Sequence, residues 1–117
     1  MTKIEAHTLA QGWITAWNSH NLDAVMSHYD PEVVLISPTA ARLLGDSSGT
    51  VAGKEALLSY FMRGLQVYPN LAFTLLEVMW GVSSVVLHYV NQDNTKCAEF
   101  MEVGSGGKVI KVIAHYN

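Results

Sequence analysis

The sequence predicts an α+β fold in which three helices pack on one face of a curved, mainly antiparallel β-sheet. Residues 4–19 and 54–68 carry apolar side chains at the three- and four-residue spacing of amphipathic helices. After residue 71 the chain consists of β-rich runs separated by turn sequences. Helices that precede a series of strands are typical of α+β proteins, so we expect a single domain spanning residues 1–117.

The first two helices are predicted from their apolar stripe and their end signals. Trp13 and Trp17 lie four residues apart within residues 4–19, so they share one helical face. Asn21 is the expected N-cap of a short second helix with the sequence LDAVMSHY. Pro31 follows that segment and is expected to end the helix.

The first strand and the third helix flank a loop of unusual composition. Residues 33–37 read as a strand that stops at Pro38, and an apolar piece, residues 40–44, follows within the predicted loop. The third helix begins after Gly53 and ends before Pro69.

Four further strands are predicted in the C-terminal half. Turn sequences separate them: Trp-Gly, NQDN and GSGG. The runs cover residues 71–79, 82–91, 95–103 and 108–116.

Composition narrows the classes of function. Hydrophobic residues make up 50% of the chain and charged residues 15%, which favours a large internal pocket or a buried subunit interface. The net charge is -3 and no cluster of Lys and Arg occurs, which argues against nucleic-acid and anionic-membrane partners. Cys97 is the single cysteine, so no internal disulfide is expected and a reducing, cytoplasmic location is predicted. The start of the chain does not resemble a secretory signal, and no apolar run is long enough for a membrane span.

The hairpin between residues 82 and 103 contains a candidate acid/base pair. A turn centred on residues 93 and 94 would place His88 directly opposite Glu99 on one strand face. A glutamate beside a histidine fixes the imidazole tautomer and favours its charged form. The alternative is a solvent-facing pair that only joins the strands. The same register pairs Val90 with Cys97 and Val86 with Met101.

The last strand alternates between an apolar face and a mixed face. The mixed face suits a dimer contact because it combines Val109 and Ile113 with Lys111 and His115. The apolar face is expected to point toward the helices and comprises Ile110, Val112, Ala114 and Tyr116.

Three segments together resemble a known superfamily: WITAWNSHNLDAVMSHYDPEVVLISP, GTVAGKEALLSYFMRGL and GGKVIKVIAHY. They are similar to the SnoaL-like group of the nuclear transport factor 2-like superfamily, which includes ketosteroid isomerases and polyketide cyclases. The resemblance implies a cone-shaped, cystatin-like fold whose bent sheet and helices enclose an apolar pocket. It also implies a homodimer formed through the outer face of the sheet.

The resemblance assigns family positions to five residues. Ser37 stands where ketosteroid isomerases place their general-base aspartate, and Trp13 stands where they place a hydrogen-bonding tyrosine. Glu99 matches their protonated aspartic acid. Tyr29 and Phe61 match two further pocket tyrosines. A serine hydroxyl does not act as a base without a partner that deprotonates it, so the usual isomerase mechanism is not expected.

The resulting site hypothesis has His88 as acid/base, oriented by Glu99, with Tyr29 and Ser37 as hydrogen-bond donors. The substrate would be a small, largely apolar, oxygenated molecule, and the reaction an isomerisation, cyclisation, hydration or elimination. No metal is expected, because the histidines lack metal-ligand spacing and the cysteine is single. No cofactor is expected, and neither a P-loop nor a dinucleotide fingerprint is present. The expected pocket lining is Trp13, Trp17, Tyr29, Ser37, Phe61, Val86, Met101, Val112, Ala114 and Tyr116.

Two alternatives use the same fold without catalysis. One is a binding protein with the same pocket and no chemistry. The other is a dimerisation module whose interior is filled with side chains, so that no cavity exists. The apolar residues 40–44 are expected to fold over the pocket mouth or onto a partner subunit, and Arg42 either is solvated or binds a ligand carboxylate there.

Overall fold

Helices and one sheet make up the computed structural model, which describes all residues, Met1–Asn117. The mixed α+β class predicted from the sequence is confirmed, with four helices instead of three. The helices are α1 (Lys3–Asn18), α2 (Leu22–Met26), α3 (Pro38–Leu44) and α4 (Lys54–Val67). The strands are β1 (Tyr29–Ile36), β2 (Thr50–Ala52), β3 (Thr74–Trp80), β4 (Ser84–Val90), β5 (Lys96–Val103) and β6 (Val109–Tyr116).

The six strands form one sheet in the order β2-β1-β6-β5-β4-β3. Every neighbouring pair is antiparallel except β1 and β6, which run parallel. The sheet is therefore mainly antiparallel, as predicted, and the chain returns to place its last strand at the centre.

The predicted loop after β1 contains a helix and a strand that the sequence prediction missed. Ser37 is the N-cap of α3, and its hydroxyl accepts the Thr39 N–H at 3.1 Å. Pro38 occupies the first turn, where its missing N–H has no cost. Gly45 ends the helix with a φ of 65°, which suits glycine. Strand β2 has three residues, too few to show a period.

Strand β1 begins earlier than predicted, and α2 ends earlier. Helix α2 stops at Met26, and the strand already starts at Tyr29. Pro31 lies inside the strand, where the pairing with β6 is irregular between Tyr29 and Val34. Its missing N–H is tolerated there because that stretch makes no regular ladder with β6.

The β4–β5 hairpin has a different register from the predicted one. Its strands are joined through Asn91 and Thr95, whose backbone groups bond at 3.0 Å, with Asn94 at a φ of 63°. This is a three-residue loop with a left-handed third residue, whereas the prediction assumed a two-residue turn. Leu87 consequently faces Glu99, and His88 faces Ala98.

The one-residue shift moves two predicted pocket residues to the other side of the sheet. His88 and Val86 are half-buried on the outer face, which points away from the helices. On the inner face, Val85, Leu87 and Tyr89 are buried in the core. The prediction that His88 is a neighbour of Glu99 on the pocket face was wrong.

The last strand largely follows its predicted parity. Val112 and Ala114 are buried on the inner face, and Tyr116 lies at the strand end with 38% of its surface exposed. An irregularity in the β5–β6 ladder, next to Val103, leaves Ile110 without a partner on β5. Because of this extra residue, the side chain that precedes Ile110 points to the opposite face from the one predicted. Val109 is therefore fully buried and does not belong to the outer face.

None of the helices combines the length and apolar character that a membrane crossing needs.

Candidate functional site

A cavity of about 380 Å³ lies between the inner face of the sheet and helices α1, α3 and α4. Its volume falls within the ~300–1,000 Å³ of typical small-molecule sites. Twelve of its 22 lining residues are hydrophobic, and the polar ones concentrate on a few elements. The aromatic part of the wall includes Trp13, Trp17, Tyr60, Phe61, Phe73 and Tyr89.

Helix α1 contributes one wall through its two tryptophans, whose ring centroids are 6.2 Å apart. The Trp13 ring stacks on Phe73 at 5.6 Å with a 16° angle between planes. Asn18 at the helix end holds Phe73 in place: its amide donates to the Phe73 carbonyl at 2.8 Å and accepts the Phe73 N–H at 2.7 Å. These two hydrogen bonds hold the segment before β3 against the cavity.

The indole of Trp13 is already committed to a protein partner. Its Nε1–H donates to the Tyr29 hydroxyl at 2.9 Å. Tyr29 is only 1% exposed, and burial raises its pKa. Tyr29 therefore supports the cavity wall from behind and does not line it. The Trp13 N–H, which donates to Tyr29, is not free to donate to a ligand.

Trp17 differs from Trp13 in one respect. It lines the same cavity and is 6% exposed, but its Nε1–H has no hydrogen-bond partner. It is the single buried side-chain nitrogen or oxygen in the structure without one.

Glu99 is the only buried carboxylate and lies on the inner face of β5, with 7% of its surface exposed. The Tyr89 hydroxyl donates to its Oε1 at 2.8 Å. Burial raises the pKa of the Glu99 carboxyl to about 7, although the bond from Tyr89 acts in the opposite direction by stabilising the carboxylate. Near neutral pH both protonation states are populated, so this group can accept or release a proton.

Sequence reasoning missed Tyr89 because it assumed the wrong hairpin register. In the observed register Tyr89 pairs with Cys97, and Glu99 lies two residues further along the same face. This diagonal separation is within reach of an aromatic side chain. The signal that could have found it is the stretch between Asn91 and Thr95, which fits a three-residue loop with Asn94 in the left-handed position.

Helix α3 forms the rim of the cavity. Pro38, Thr39 and Arg42 line it, and Arg42 donates a hydrogen bond to the Tyr68 hydroxyl at the end of α4. Ala40 packs into the core instead. The apolar stretch that stood out in the sequence thus belongs to a short helix at the cavity rim and is buried only in part. Ala40 is fully buried, Ala41 and Leu43 are partly buried, and Leu44 is 44% exposed.

A group of hydroxyls lines the cavity beneath this rim. Ser37 is 3% exposed and lies beside the hydroxyls of Tyr60 and Tyr116. Burial raises the pKa of both tyrosines, so they stay neutral donors at physiological pH. This part of the cavity therefore presents neutral hydroxyls.

The structure brings together seven of the residues expected at the site and separates five. Tyr29, Met101 and Val112 are buried in the core beside the cavity without lining it. His88 and Val86 lie across the sheet from it, and His88 is placed between Glu77 and Ala98. The expected residues that do line the cavity are Trp13, Trp17, Ser37, Phe61, Glu99, Ala114 and Tyr116.

The structure contains no group of three or more His, Cys, Asp or Glu side chains arranged to hold a metal ion.

A family model for the SnoaL-like domain matches residues 10–116. A crystal structure of a SnoaL-like protein of unknown function from Burkholderia thailandensis E264 is similar at 34% identity and a TM-score of 0.95, covering 99% of this chain and 97% of that chain. No curated protein matches.

More distant structures share the fold at lower identity. One is a protein of unknown function with a cystatin-like fold from Methylobium petroleophilum PM1, with 13% identity, a TM-score of 0.79, and coverage of 99% of this chain and 78% of that one. Another is TerC, crystallised with polyporic acid, with 12% identity, a TM-score of 0.79, and coverage of 97% and 92%. The match over almost the entire chain and the closely superposing Burkholderia protein show that this chain belongs to the SnoaL-like domain family.

Proposed function

We propose that this protein binds a small, largely apolar, oxygenated molecule in the cavity and transfers a proton to or from it through Glu99. The observation that carries the proposal is a buried carboxyl with a pKa of about 7 in an aromatic cavity. A general acid/base works best when its pKa lies near the operating pH. A solvent-exposed carboxylate usually has a pKa of about 4 and does not meet this condition.

The proposed chemistry needs only the residues at the inner face of the sheet. Glu99 as carboxylate removes a proton from a carbon next to a carbonyl, and as carboxylic acid it returns the proton to another position. Tyr89 keeps the carboxyl oriented through its 2.8 Å bond. This is the proton movement common to isomerisation and cyclisation. The co-crystallisation of TerC, a protein with the same fold, with polyporic acid supports an oxygenated ring compound as the ligand class.

The test uses hydrogen exchange, which can be measured on a simple ketone in place of the natural substrate. A methyl ketone such as 2-acetylnaphthalene is incubated with the protein in heavy water, and deuterium uptake beside the carbonyl is measured by mass spectrometry. We expect protein-dependent uptake that falls by about 10²-fold in Glu99→Gln. Glu102→Gln is the matched control, because Glu102 lies on the same strand and its partner across β4 is Ser84, not a cavity residue. Equal uptake by the wild type and Glu99→Gln would contradict the proposal.

A non-catalytic binding protein is the second candidate, and Ser37 favours it. Ser37 carries a hydroxyl where a related isomerase would carry a carboxylate base, so Glu99 is the single carboxyl in the interior of the cavity. This alternative predicts that 2-acetylnaphthalene raises the melting temperature increasingly with its concentration while no deuterium is incorporated.

We also propose that the outer face of the sheet binds a second copy of the chain. Apolar side chains that are direct cross-strand neighbours form a continuous row across five strands, and such a row on a solvent-facing sheet favours association. Sedimentation should show a dimer for the wild type and a monomer for Phe100→Asp, which places a charge at the centre of the row. The row consists of Ile36, Ile113, Phe100, Val86 and Met79.

A further inference from the structure

We infer that the indole N–H of Trp17 binds an oxygen of the ligand, and that this oxygen is a carbonyl. The inference rests on the proposed function, because it assumes that the cavity holds a small molecule. Trp17 lines that cavity, is only 6% exposed to solvent, and carries the one buried side-chain donor with no partner.

The comparison with Trp13 shows that the fold satisfies such a donor elsewhere. Both indoles lie on α1, one turn apart, and both line the cavity. The Trp13 N–H is paired with the Tyr29 hydroxyl, whereas the Trp17 N–H finds no acceptor in the protein. A buried donor without an acceptor is costly and rare, so an unpaired one in a cavity wall indicates a partner that the protein does not itself supply.

The surroundings of Trp17 select the chemistry of that partner. Its ring contacts are aromatic: Trp13 at 6.2 Å, Phe61 at 4.8 Å and Phe73 at 6.0 Å between centroids. A water molecule needs two to four polar partners and does not find them among these rings. A ligand hydroxyl would accept the bond but leave its own proton unpaired. A carbonyl oxygen only accepts, as an indole N–H only donates, so it leaves no group unsatisfied, and it is a stronger acceptor than an ether oxygen.

The experiment compares a ketone with a hydrocarbon of nearly the same shape. Dissociation constants of 2-acetylnaphthalene and 2-ethylnaphthalene are measured for the wild type and for Trp17→Phe. For each protein, the dissociation constant of the ketone is divided by that of the hydrocarbon. The intrinsic difference in hydrophobicity between the two probes is the same for both proteins, so it cancels when their ratios are compared. The remaining difference between the ratios reports the hydrogen bond. We expect Trp17→Phe to shift this ratio about fivefold against the ketone. Trp80→Phe, which removes an exposed indole on β3 outside the cavity, should leave the ratio unchanged.

A second measurement uses only the wild-type protein, so it holds even if Trp17→Phe does not fold. In ¹⁵N-labelled protein, the Trp17 indole proton resonance should move downfield with the ketone and not with the hydrocarbon. An unchanged ratio together with no downfield movement would overturn the inference.

The two proposals fail in different ways. One outcome is deuterium uptake that depends on Glu99, with neither a change in the ratio of dissociation constants nor a shift of the Trp17 indole resonance. That outcome would refute the Trp17 inference and leave the proposed function intact. If neither probe binds the wild type, the carbonyl site at Trp17 is refuted and the ligand-binding cavity with it.

Discussion

The two faces of the β4–β5 hairpin carry similar side chains in very different surroundings. On the inner face, Tyr89 and Glu99 meet in a cavity with almost no exposure to solvent. On the outer face, His88 and Glu77 are direct cross-strand neighbours, and Glu77 is exposed. In the buried tyrosine–glutamate pair, burial raises the pKa of Glu99 to about 7. Burial, and not the residue types alone, determines which pair is suited to proton transfer.

The largest difference between the faces should be seen in packing. Leu87→Ala removes a fully buried side chain and should lower the free energy of unfolding by about 2–5 kcal/mol. Val86→Ala, one residue earlier on the outer face, should cost less than about 1 kcal/mol, because that side chain is only half-buried. Urea unfolding at a protein concentration low enough to keep the chain monomeric measures both. Equal losses would mean that the outer face is packed as tightly as the inner one.

The next effect is the pH dependence caused by Glu99. Its pKa in the folded state, about 7, lies above the ordinary value of 4.5, so the folded state holds the proton more tightly than the unfolded one. The stabilisation is complete below pH 4.5 and is lost as the pH rises through 7, a decrease of roughly 3 kcal/mol. Unfolding free energies measured between about pH 4.5 and 8 should show this decrease in the wild type and in Glu102→Gln. Glu99→Gln should remove it, and a decrease of unchanged size in that variant would assign it to another group.

A smaller effect should separate Tyr89 from His88. Tyr89→Phe removes the hydrogen bond that stabilises the Glu99 carboxylate, so the pKa of Glu99 should rise above 7. The same variant should lose about 1 kcal/mol of stability above that pH. Carboxyl ¹³C resonances followed by NMR give the midpoint directly. His88→Ala changes the opposite face and should leave the midpoint where it is; a displaced midpoint in this variant would place His88 at the site after all.

The smallest expected effect concerns the helix at the cavity rim. Ser37→Ala removes the side-chain oxygen that accepts the Thr39 N–H, which should cost about 1 kcal/mol. Amide exchange at Ala41, whose N–H bonds to the Ser37 carbonyl, should become faster as α3 frays. Exchange that stays slow would show that packing of Ala40, and not the cap, maintains this helix.

Much of the fold follows from patterns that are visible in the sequence. The long helices α1 and α4 and strands β4 to β6 extend over several periods, and each is bounded by turn or cap residues. The sequence also predicts Glu99 and the two α1 tryptophans at the pocket, and the structure places them at the cavity.

The features that sequence reasoning misses depend on local backbone geometry. A single left-handed residue, Asn94, determines which face carries His88, and one extra residue at Ile110 reverses the parity of Val109. Helix α3 is missed because Ser37 and Pro38 are equally suited to ending a strand and starting a helix. The choice of Glu99 with Tyr89, and not with His88, as the proposed proton-transfer site depends on the position of Asn94.

The parallel pairing of β1 with β6 also constrains how the chain reaches this structure. Strand β6 lies between β1 and β5, so without it the sheet would separate into β2–β1 and β5–β4–β3. The N-terminal strand has to wait for the last segment to be synthesised before the two parts can join. Long-range pairing of this kind is slow, because a large loop must close before any contact compensates for the lost entropy. We therefore expect the aromatic side chains that later enclose the cavity to be more open to solvent until the two parts join, and aggregation to compete with folding in that interval.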